Sequence, residues 1–340
     1  MVWQKKALVA LRDAMIWLET NEEASPIIQQ AYHQNRWFEE VQVKSALHQW
    51  VLSLSDDAID QWLQQYNWPS AVHNTHLGVI MAGNIPLVGL HDLLVGVLSG
   101  YRVSAKLASD DAVLPKQLLM KAAILDPVWS DQVVFVEQLK QLDVAIATGS
   151  NNSARYFSAY FKHIPHIIRN HRNSLAVLTG QESSEDFIAL GRDVFDYYGL
   201  GCRNVTHLLV PEQYDFTPMF QCWDAHYADI QHHNKYINNY QYHRAMLLMN
   251  LDPHIDTGYV IAKEKEELYA PVGMLNYSFY TDAGQVESRI AAWKDQLQCV
   301  VSIMTGIQAL PLGQSQCTTL SDYADGVDTA QWLLEQAANA

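Results

Sequence analysis

The sequence has few cysteines, few basic residues and no long hydrophobic run. Its four cysteines, at positions 202, 222, 299 and 317, form no C-x-x-C pair of the kind that zinc and redox sites use. We interpret them as free thiols in a reducing compartment, and we therefore expect a cytoplasmic protein. The formal net charge of −15 disfavours a partner with a phosphate backbone, so we do not expect nucleic acid binding.

Signals for a membrane or a metal are equally scarce. No run of about 18 apolar residues occurs, and the amphipathic start of the chain is broken by Arg12 and Asp13. We therefore expect neither membrane insertion nor secretion. The 14 histidines form no H-E-x-x-H pattern, and His232 and His233 lie in a polar segment, so no metal site is predicted.

Length and composition indicate a folded chain with more than one core. A chain of 340 residues is longer than the roughly 250 to 300 residues at which single cores stop growing, so we expect two domains or one domain with a large insertion. At 49% hydrophobic residues, the chain is too apolar to be disordered. Residues 1–66 place apolar side chains, including Trp17, Trp37, Trp50 and Trp62, at helical spacing, which predicts several amphipathic helices.

From His76 onward, short apolar runs alternate with segments of helical periodicity. Strands separated by helices imply a parallel sheet with covered faces, which is an α/β fold. The predicted strands are residues 77–81, 101–107, 133–137, 144–147, 166–169, 175–178, 206–210, 259–262 and 274–280. The predicted helices are residues 87–99, 114–124, a segment after Gly149, 184–198 and 283–297.

The segment Tyr198-Gly-Leu-Gly-Cys-Arg-Asn204 is the most informative part of the chain. Cys202 follows a predicted helix, and the glycines let the backbone approach a ligand closely. The guanidinium of Arg203, beside the sulfur, favours thiolate over thiol, although a structural ion pair is an equal alternative for this arginine. These features predict an exposed nucleophile. The other interpretation is a buried cysteine that packs as a small hydrophobe.

Two turns follow predicted strands, where open α/β sheets bind their ligands. In Met81-Ala-Gly-Asn-Ile-Pro86, Asn84 either donates its amide to an oxyanion or caps a helix that begins near Pro86. In Ala147-Thr-Gly-Ser-Asn-Asn-Ser153, small residues at a helix N-terminus suit a phosphate, although the same residues also serve as ordinary caps.

Together these segments resemble the aldehyde dehydrogenase superfamily from about residue 76 to the C-terminus, and most of all its acyl-CoA reductase branch, the fatty-acid reductase type of bacterial bioluminescence. The first turn is similar to the Pro-Trp-Asn-Phe-Pro motif, which implies that Asn84 forms an oxyanion hole with the backbone amide of the nucleophile. The Gly-Leu-Gly-Cys loop matches the catalytic thiol, which implies that Cys202 is that nucleophile. The implied fold is a Rossmann-type cofactor domain joined to a second α/β catalytic domain, with a helical N-terminus.

The resemblance also implies a set of cofactor residues. Val103-Ser-Ala-Lys-Leu-Ala-Ser109 is similar to Val-Leu-Lys-Pro-Ser, so Lys106 is expected to contact the adenosine ribose. NAD-preferring relatives often carry a glutamate three residues after that lysine, whereas the uncharged Ser109 leaves room for a 2′-phosphate. We therefore expect NADPH, with NADH as the alternative. Ala147-Thr-Gly-Ser resembles the turn under the pyrophosphate, which implies contacts from Gly149 and Ser150.

Two further segments complete the resemblance. Glu266-Glu-Leu-Tyr-Ala-Pro-Val272 is similar to Glu-Glu-Ile-Phe-Gly-Pro-Val, so Glu267 is expected to hold the nicotinamide ribose. The tail from Pro311 resembles the Pro-Phe-Gly-Gly segment that returns toward the cofactor domain. The implied domains are a helical segment at 1–70, a dinucleotide-binding domain at 71–172 with 311–340, and a catalytic domain at 173–310.

One departure from the family bears on the reaction. Oxidising members carry Glu-Leu-Gly-Gly, whose glutamate activates a hydrolytic water, but this chain has Arg169-Asn-His-Arg-Asn-Ser174 without a carboxylate. His171 is an alternative base if the alignment shifts by a residue or two, while Arg172 and Asn204 have no assigned role. Exchange with a thiol needs no activated water, so the pattern favours a reductase.

The predicted function is reduction of an acyl-CoA, or another acyl thioester, to an aldehyde through an acyl-cysteine intermediate on Cys202. One alternative is an aldehyde dehydrogenase that acts oxidatively with a different base. Another is an acyltransferase or acyl-carrying subunit without nicotinamide chemistry. The resemblance further implies a homo-oligomer.

Overall fold

The structure, a computed structural model, describes residues 2–338, which form two compact units. The first unit contains the described residues up to His171 and those from Thr318 onward, and the second is Arg172–Cys317. The division of the chain into domains with separate functions stays a prediction.

The N-terminal part of the first unit is helical, as predicted for residues 1–66. Its helices are α1 (Val2–Thr20), α2 (Ser25–Gln34), α3 (Glu40–Ser53) and α4 (Asp56–Leu63). Helix α4 begins after Ser55, whose hydroxyl accepts the N–H of Ala58, and two aspartates occupy its first turn, where negative charge is favourable. The apolar faces of these helices belong to the same buried cluster as the sheet that follows them in sequence.

The strands of the first unit are β1 (His76–Ile80), β2 (Arg102–Lys106), β3 (Val133–Phe135), β4 (Val144–Thr148) and β5 (His166–Arg169). Within residues 2–338, they form one five-stranded sheet, all parallel, in the order β3-β2-β1-β4-β5. This is the order of a doubly wound dinucleotide fold, and it reverses direction between β1 and β4. The helices are α5 (Leu90–Leu98), α6 (Val113–Leu125), α7 (Val128–Asp131), α8 (Asn151–Tyr160) and α13 (Thr329–Ala338).

The start of α5 differs from the prediction. The pattern placed it near residue 87, but Leu87 has a left-handed φ of 58°, and the helix begins at Leu90 with Gly89 as its N-cap. A left-handed residue does not fit in a right-handed helix. Asn84 therefore does not cap α5, and the alternative interpretation of that residue is wrong.

A buried ion pair ties the C-terminal segment to the sheet of the first unit. Arg169, at the end of β5, donates from Nε and Nη2 to the carboxylate of Asp92 on α5 at 2.9 and 2.7 Å. The same guanidinium donates to the hydroxyl of Thr329 and to the carbonyl of Ala324, both at 2.6 Å. Burial opposes ionisation of Asp92, but the facing guanidinium outweighs it and leaves the pKa of this carboxyl below its ordinary value.

The strands of the second unit are β6 (Asn173–Val177), β7 (Val205–Pro211), β8 (Ile255–Asp256), β9 (Ile261–Glu264), β10 (Met274–Tyr280) and β11 (Leu297–Ser302). Among the residues that the structure describes, they form a six-stranded sheet in the order β11-β6-β7-β10-β9-β8. All neighbouring strands are parallel except β8 and β9. The helices are α9 (Ser184–Phe195), α10 (Thr217–Tyr227), α11 (Asn234–Asn250) and α12 (Ala283–Ala292).

The predicted α/β class, with parallel sheets and a helical N-terminus, is confirmed. Sequence patterns missed α10 and α11. Helix α11 is polar along most of its length and buries only Tyr236, Tyr240 and Leu247, so it shows little apolar periodicity. In the part of the chain that the structure describes, no helix is both long enough and apolar enough to cross a bilayer.

The Arg169–Asp92 pair gives a stability prediction. Replacing Arg169 by Met leaves a buried carboxylate without its cation, and we expect a loss of roughly 3–5 kcal/mol in the free energy of unfolding. The double variant with Asp92→Leu removes both charges and should recover a large part of that loss. Urea unfolding followed by circular dichroism measures both variants. A double variant that lost the sum of the two single effects would contradict the pairing.

Candidate functional site

In the first unit, the predicted residues lie where parallel strands end. Asn84 follows β1, Lys106 closes β2, and Gly149 and Ser150 follow β4. Because β1 lies between β2 and β4, all four positions share one edge of the sheet, at the point where strand order reverses. Open α/β sheets bind their ligands at that place.

Gly149 allows a tight packing of this edge. A Cβ at this position would lie 2.8 Å from Cε2 of Phe157 and 2.9 Å from Cβ of Ser153, both on α8. Glycine at this position therefore lets the loop pack directly against the start of α8. The free backbone N–H groups at that helix N-terminus suit a phosphate. The hydroxyl of Ser150 accepts the N–H of Ser153 at 3.3 Å, so Ser150 also caps α8.

Lys106 and Ser109 belong to a second turn on the same edge. The side chain of Lys106 is exposed, and the carbonyl of this residue accepts the N–H of Met81 at 3.0 Å. Ser109 is also exposed and starts a short 3-10 helix, Ser109–Asp111, while its carbonyl accepts the side-chain amide of Gln34. Both side chains are therefore open to a ligand, as the prediction requires.

Asp111 is a residue of this edge that sequence patterns did not identify. Its side chain is buried, and Oδ2 accepts the N–H of Leu87 at 2.7 Å. Burial raises the pKa of this carboxyl to about 7, against the lowering effect of that hydrogen bond. An aspartate beside another aspartate in a polar stretch carries no sequence signal for burial.

In the second unit, Cys202 lies in a loop with an unusual backbone. Tyr197, Tyr198 and Gly199 have φ angles of 51°, 59° and 75°, three successive left-handed residues between α9 and the cysteine. Left-handed conformations are costly for residues with a Cβ and persist only where the surroundings impose them. Both tyrosines are buried, and the ring of Tyr198 stacks on His233 with centroids 4.1 Å apart.

The side chain of Asn204 holds this loop in place through hydrogen bonds. Its side chain is fully buried, and Oδ1 accepts the N–H of Gly201 at 2.8 Å. Its Nδ2 donates to the carbonyls of Asp193 at 3.1 Å and Asp196 at 2.7 Å, which the end of α9 leaves without helical partners. One amide thus joins the end of α9 to the residue before Cys202, a role that sequence patterns did not assign.

The cysteine loop is also joined to neighbouring segments of its own unit. The hydroxyl of Ser174, on β6, donates to the carbonyl of Cys202 at 3.1 Å and lies 3.1 Å from Sγ of Cys299. Arg203 donates from Nη1 to the carbonyl of Ser315 at 3.3 Å. Cys202 itself is partly exposed, as are Cys222 and Cys299, and its role as a nucleophile stays a prediction.

The tail that begins at Pro311 is held against α9 by a buried carboxylate. Asp193 is 1% exposed, and its two oxygens accept the N–H groups of Gly313 and Ser315 at 2.6 and 2.9 Å. Desolvation outweighs these hydrogen bonds and raises the pKa of Asp193 above its ordinary value. The tail and the cysteine loop are thus both fastened to the last turn of α9.

Glu267 sits on a segment whose backbone is fixed and whose side chain is exposed. Its carbonyl accepts from Nδ1 of His207 at 2.9 Å and from the amide of Asn276 at 2.8 Å. Its carboxylate pairs with Lys265 at 2.7 Å and is 66% exposed. A ligand can therefore reach the carboxylate without disturbing the backbone that presents it.

The structure places the seven predicted site residues in two groups. Asn84, Lys106, Ser109, Gly149 and Ser150 belong to the first unit, and Cys202 and Glu267 belong to the second. Their roles in binding and catalysis stay predictions. No group of three or more histidine, cysteine, aspartate or glutamate residues within 2–338 is arranged to hold a metal ion.

The role of Asn204 gives a first prediction. Asn204→Ala removes one acceptor and the donor to several buried carbonyls, so we expect a loss of about 3 kcal/mol in the free energy of unfolding. Asn239→Ala is the matched control, because the Asn239 amide donates to a single carbonyl on an exposed helix face. Urea unfolding compares the two variants. Equal stabilities of the two variants would contradict the role assigned to Asn204.

His207 gives a second prediction, on pH dependence. Burial lowers its pKa to about 4, despite the hydrogen bond to the Glu267 carbonyl. In the unfolded chain, histidine takes up a proton near pH 6.5, whereas the folded protein does so only near pH 4. Stability should therefore fall by about 3 kcal/mol as pH drops across this window. In a plot of the free energy of unfolding against pH, His207→Gln should flatten the region between about pH 4 and pH 6.5. Replacement of the exposed His163 by Gln should leave that region unchanged.

The fold has solved relatives at low identity. An oxidoreductase from Marinobacter aquaeolei matches with a TM-score of 0.61 and 11% identity, over 89% of this chain and 73% of its own. Aldehyde dehydrogenase 21 from Physcomitrella patens, in complex with the reaction product succinate, matches with a TM-score of 0.64 and 10% identity, over 98% and 84%. Indole-3-acetaldehyde dehydrogenase from P. syringae, in complex with NAD+ and IAA, matches with a TM-score of 0.62 and 12% identity, over 89% and 72%.

Comparisons that use the sequence alone find no match. No protein-family model matches this chain, and no curated protein matches it. The structural matches span nearly the whole chain at identities too low to carry a function. They confirm the aldehyde dehydrogenase-like fold that the motifs predicted.

Proposed function

We propose that this protein is an acyl-CoA reductase, an oxidoreductase that converts an acyl thioester to an aldehyde through an acyl group carried on Cys202. The loop of Cys202 carries the proposal. It presents a partly exposed thiol on a strained backbone that buried Asn204 holds in place, within an aldehyde dehydrogenase-like fold. Strain that tertiary contacts maintain is typical of functional sites.

The residues of the first unit fit a nicotinamide dinucleotide. The sheet has the strand order of dinucleotide-binding folds. A Cβ at position 149 would clash with Phe157 and Ser153 of α8, so the turn after β4 requires glycine. Lys106 and Ser109 would hold the adenosine end, and the N-terminus of α8 would hold the pyrophosphate. Glu267, a residue of the second unit, is proposed to hold the nicotinamide ribose. Ser109 is uncharged and exposed, so a 2′-phosphate meets no carboxylate from this residue, and NADPH is the proposed cofactor.

In the proposed reaction, the thiolate of Cys202 attacks the thioester carbon and forms a new carbon–sulfur bond. The amide of Asn84 and the backbone N–H of Cys202 hold the oxyanion, and the bond to coenzyme A breaks as its thiolate leaves. When bound, a reduced nicotinamide dinucleotide supplies a hydride to the acyl carbon. The carbonyl then re-forms, the bond to Sγ breaks, and Cys202 returns to thiolate as the aldehyde is released.

Reduction is favoured over oxidation by the side chain that replaces the usual base. The segment that resembles Glu-Leu-Gly-Gly begins with Arg169, and its guanidinium is buried against Asp92, Thr329 and the Ala324 carbonyl. It supplies no carboxylate that would activate water. Without that carboxylate, hydrolysis of an acyl group on Cys202 lacks its usual base, and the acyl group remains available for reduction.

Product analysis tests the proposal. We expect NADPH and a medium-chain acyl-CoA to yield aldehyde and free coenzyme A in equal amounts. Cys202→Ala should abolish the reaction, whereas Cys222→Ala, which removes another partly buried thiol of the same unit, should leave it unchanged. Asn84→Ala should lower the rate by roughly 10²- to 10³-fold, the loss expected for one oxyanion donor.

The reverse direction separates the proposal from its nearest rival. Given aldehyde, oxidised nucleotide and no coenzyme A, the proposed enzyme should produce almost no free acid. Rapid formation of free acid would instead identify an oxidative aldehyde dehydrogenase with another base. Acyl transfer without any effect of nucleotide would identify an acyltransferase.

A further inference from the structure

The turn that carries Asn84 rests directly on the short helix Ser109–Asp111. A Cβ at Gly83 would lie 2.6 Å from Cβ of Ala108 and 3.1 Å from both Cβ and the backbone nitrogen of Asp111. Only glycine permits this contact, since real Cβ atoms do not approach so closely. Asn84, the next residue, is exposed to solvent.

The carboxyl of Asp111 fastens the other end of the same turn. Its side chain is 3% exposed, and Oδ2 accepts the N–H of Leu87 at 2.7 Å. Leu87 is held with φ at 58°, a conformation that a leucine adopts only under constraint. The hydrogen bond to Asp111 holds the N–H of Leu87 in this conformation.

The second oxygen of Asp111, Oδ1, is buried and has no hydrogen-bond partner within residues 2–338. An unpaired buried oxygen is costly, and apolar packing would avoid that cost. Among the residues that the structure describes, the one direct polar contact of this carboxyl is the Leu87 N–H, so the carboxyl is better explained by what it does to the turn than by a gain in stability. Burial also raises its pKa to about 7, against the lowering effect of that hydrogen bond.

We propose that Asp111 is a positioning residue that holds the amide of Asn84 where the oxyanion of the proposed reaction forms. This inference rests on the proposed function of Asn84. In this role Asp111 acts through the turn: its carboxyl holds the N–H of Leu87, while its Cβ and backbone nitrogen lie against Gly83, so the turn is contacted on both sides of Asn84. Oxyanion donors accelerate a reaction only when they are held in place beforehand, and a displacement of about 1 Å can cost 10²-fold in rate.

A double-mutant cycle on the rate of Cys202 acylation tests this role. Asp111→Ala should slow acylation by about 10²-fold. Combined with Asn84→Ala, it should slow acylation no further than Asn84→Ala alone, because Asp111 acts through Asn84. Asp111→Asn retains an oxygen for the Leu87 N–H and should restore most of the rate. Effects that multiply in the double variant would overturn the proposal, since a general structural role does not depend on Asn84.

The control is Asp126→Ala. Asp126 is also buried and also accepts a backbone N–H, that of Val128 at 3.1 Å, but it lies at the opposite end of α6 from Asp111. Its replacement should leave the acylation rate within about twofold of the wild type at equal folded fraction, as expected for independent sites. A loss equal to that of Asp111→Ala would show that any buried carboxyl of this unit has the same effect, and would overturn the proposal.

Hydrogen exchange separates this inference from the proposed function. In Asp111→Ala, the amide of Leu87 should exchange at least tenfold faster than in the wild type, and in Asp111→Asn it should remain protected. If the wild type takes up no acyl group at all, the proposed function fails, and the exchange of Leu87 still decides whether Asp111 holds the turn. Unchanged exchange in Asp111→Ala would overturn the inference whatever the activity.

Discussion

The loop of Cys202 depends on the hydrogen bonds of one buried side chain. Helix α9 ends at Phe195, and the three left-handed residues that follow Asp196 prevent its continuation, which leaves carbonyls that no helical N–H can reach. The amide of Asn204 donates to those carbonyls and accepts from the residue before Cys202, so it joins the helix end to the thiol. The backbone that carries the cysteine is held by this junction, together with the hydrogen bonds of Ser174 and Arg203, and the proposed chemistry depends on that backbone.

In the first unit, the topology of the sheet determines where the predicted site residues lie. A parallel sheet brings the ends of β1, β2 and β4 to one edge, and each end continues into a turn of small or polar residues. Close approach at Gly83 and Gly149 packs these turns onto their neighbours, and a buried carboxyl, Asp111, holds the turn that follows β1. In both units, buried polar side chains thus fix the segments that carry predicted site residues.

Sequence patterns predicted what depends on local signals. Apolar runs gave strands such as β1, β4 and β10, and motif order gave the fold that solved relatives confirm. They failed where the apolar pattern does not report the backbone: α5 starts late because Leu87 is left-handed, and α11 shows no clear apolar stripe. The role of Asn204 was hidden because Tyr197 and Tyr198 give no hint of a left-handed turn.

The intact mass of the protein after brief incubation with a medium-chain acyl-CoA tests the central claim most directly. We predict a mass increase of one acyl group that requires Cys202 and that disappears when NADPH is added, with release of the aldehyde. An adduct that persists in the presence of NADPH, or that also forms on Cys202→Ala, would contradict the claim that a thioester on Cys202 is the species reduced.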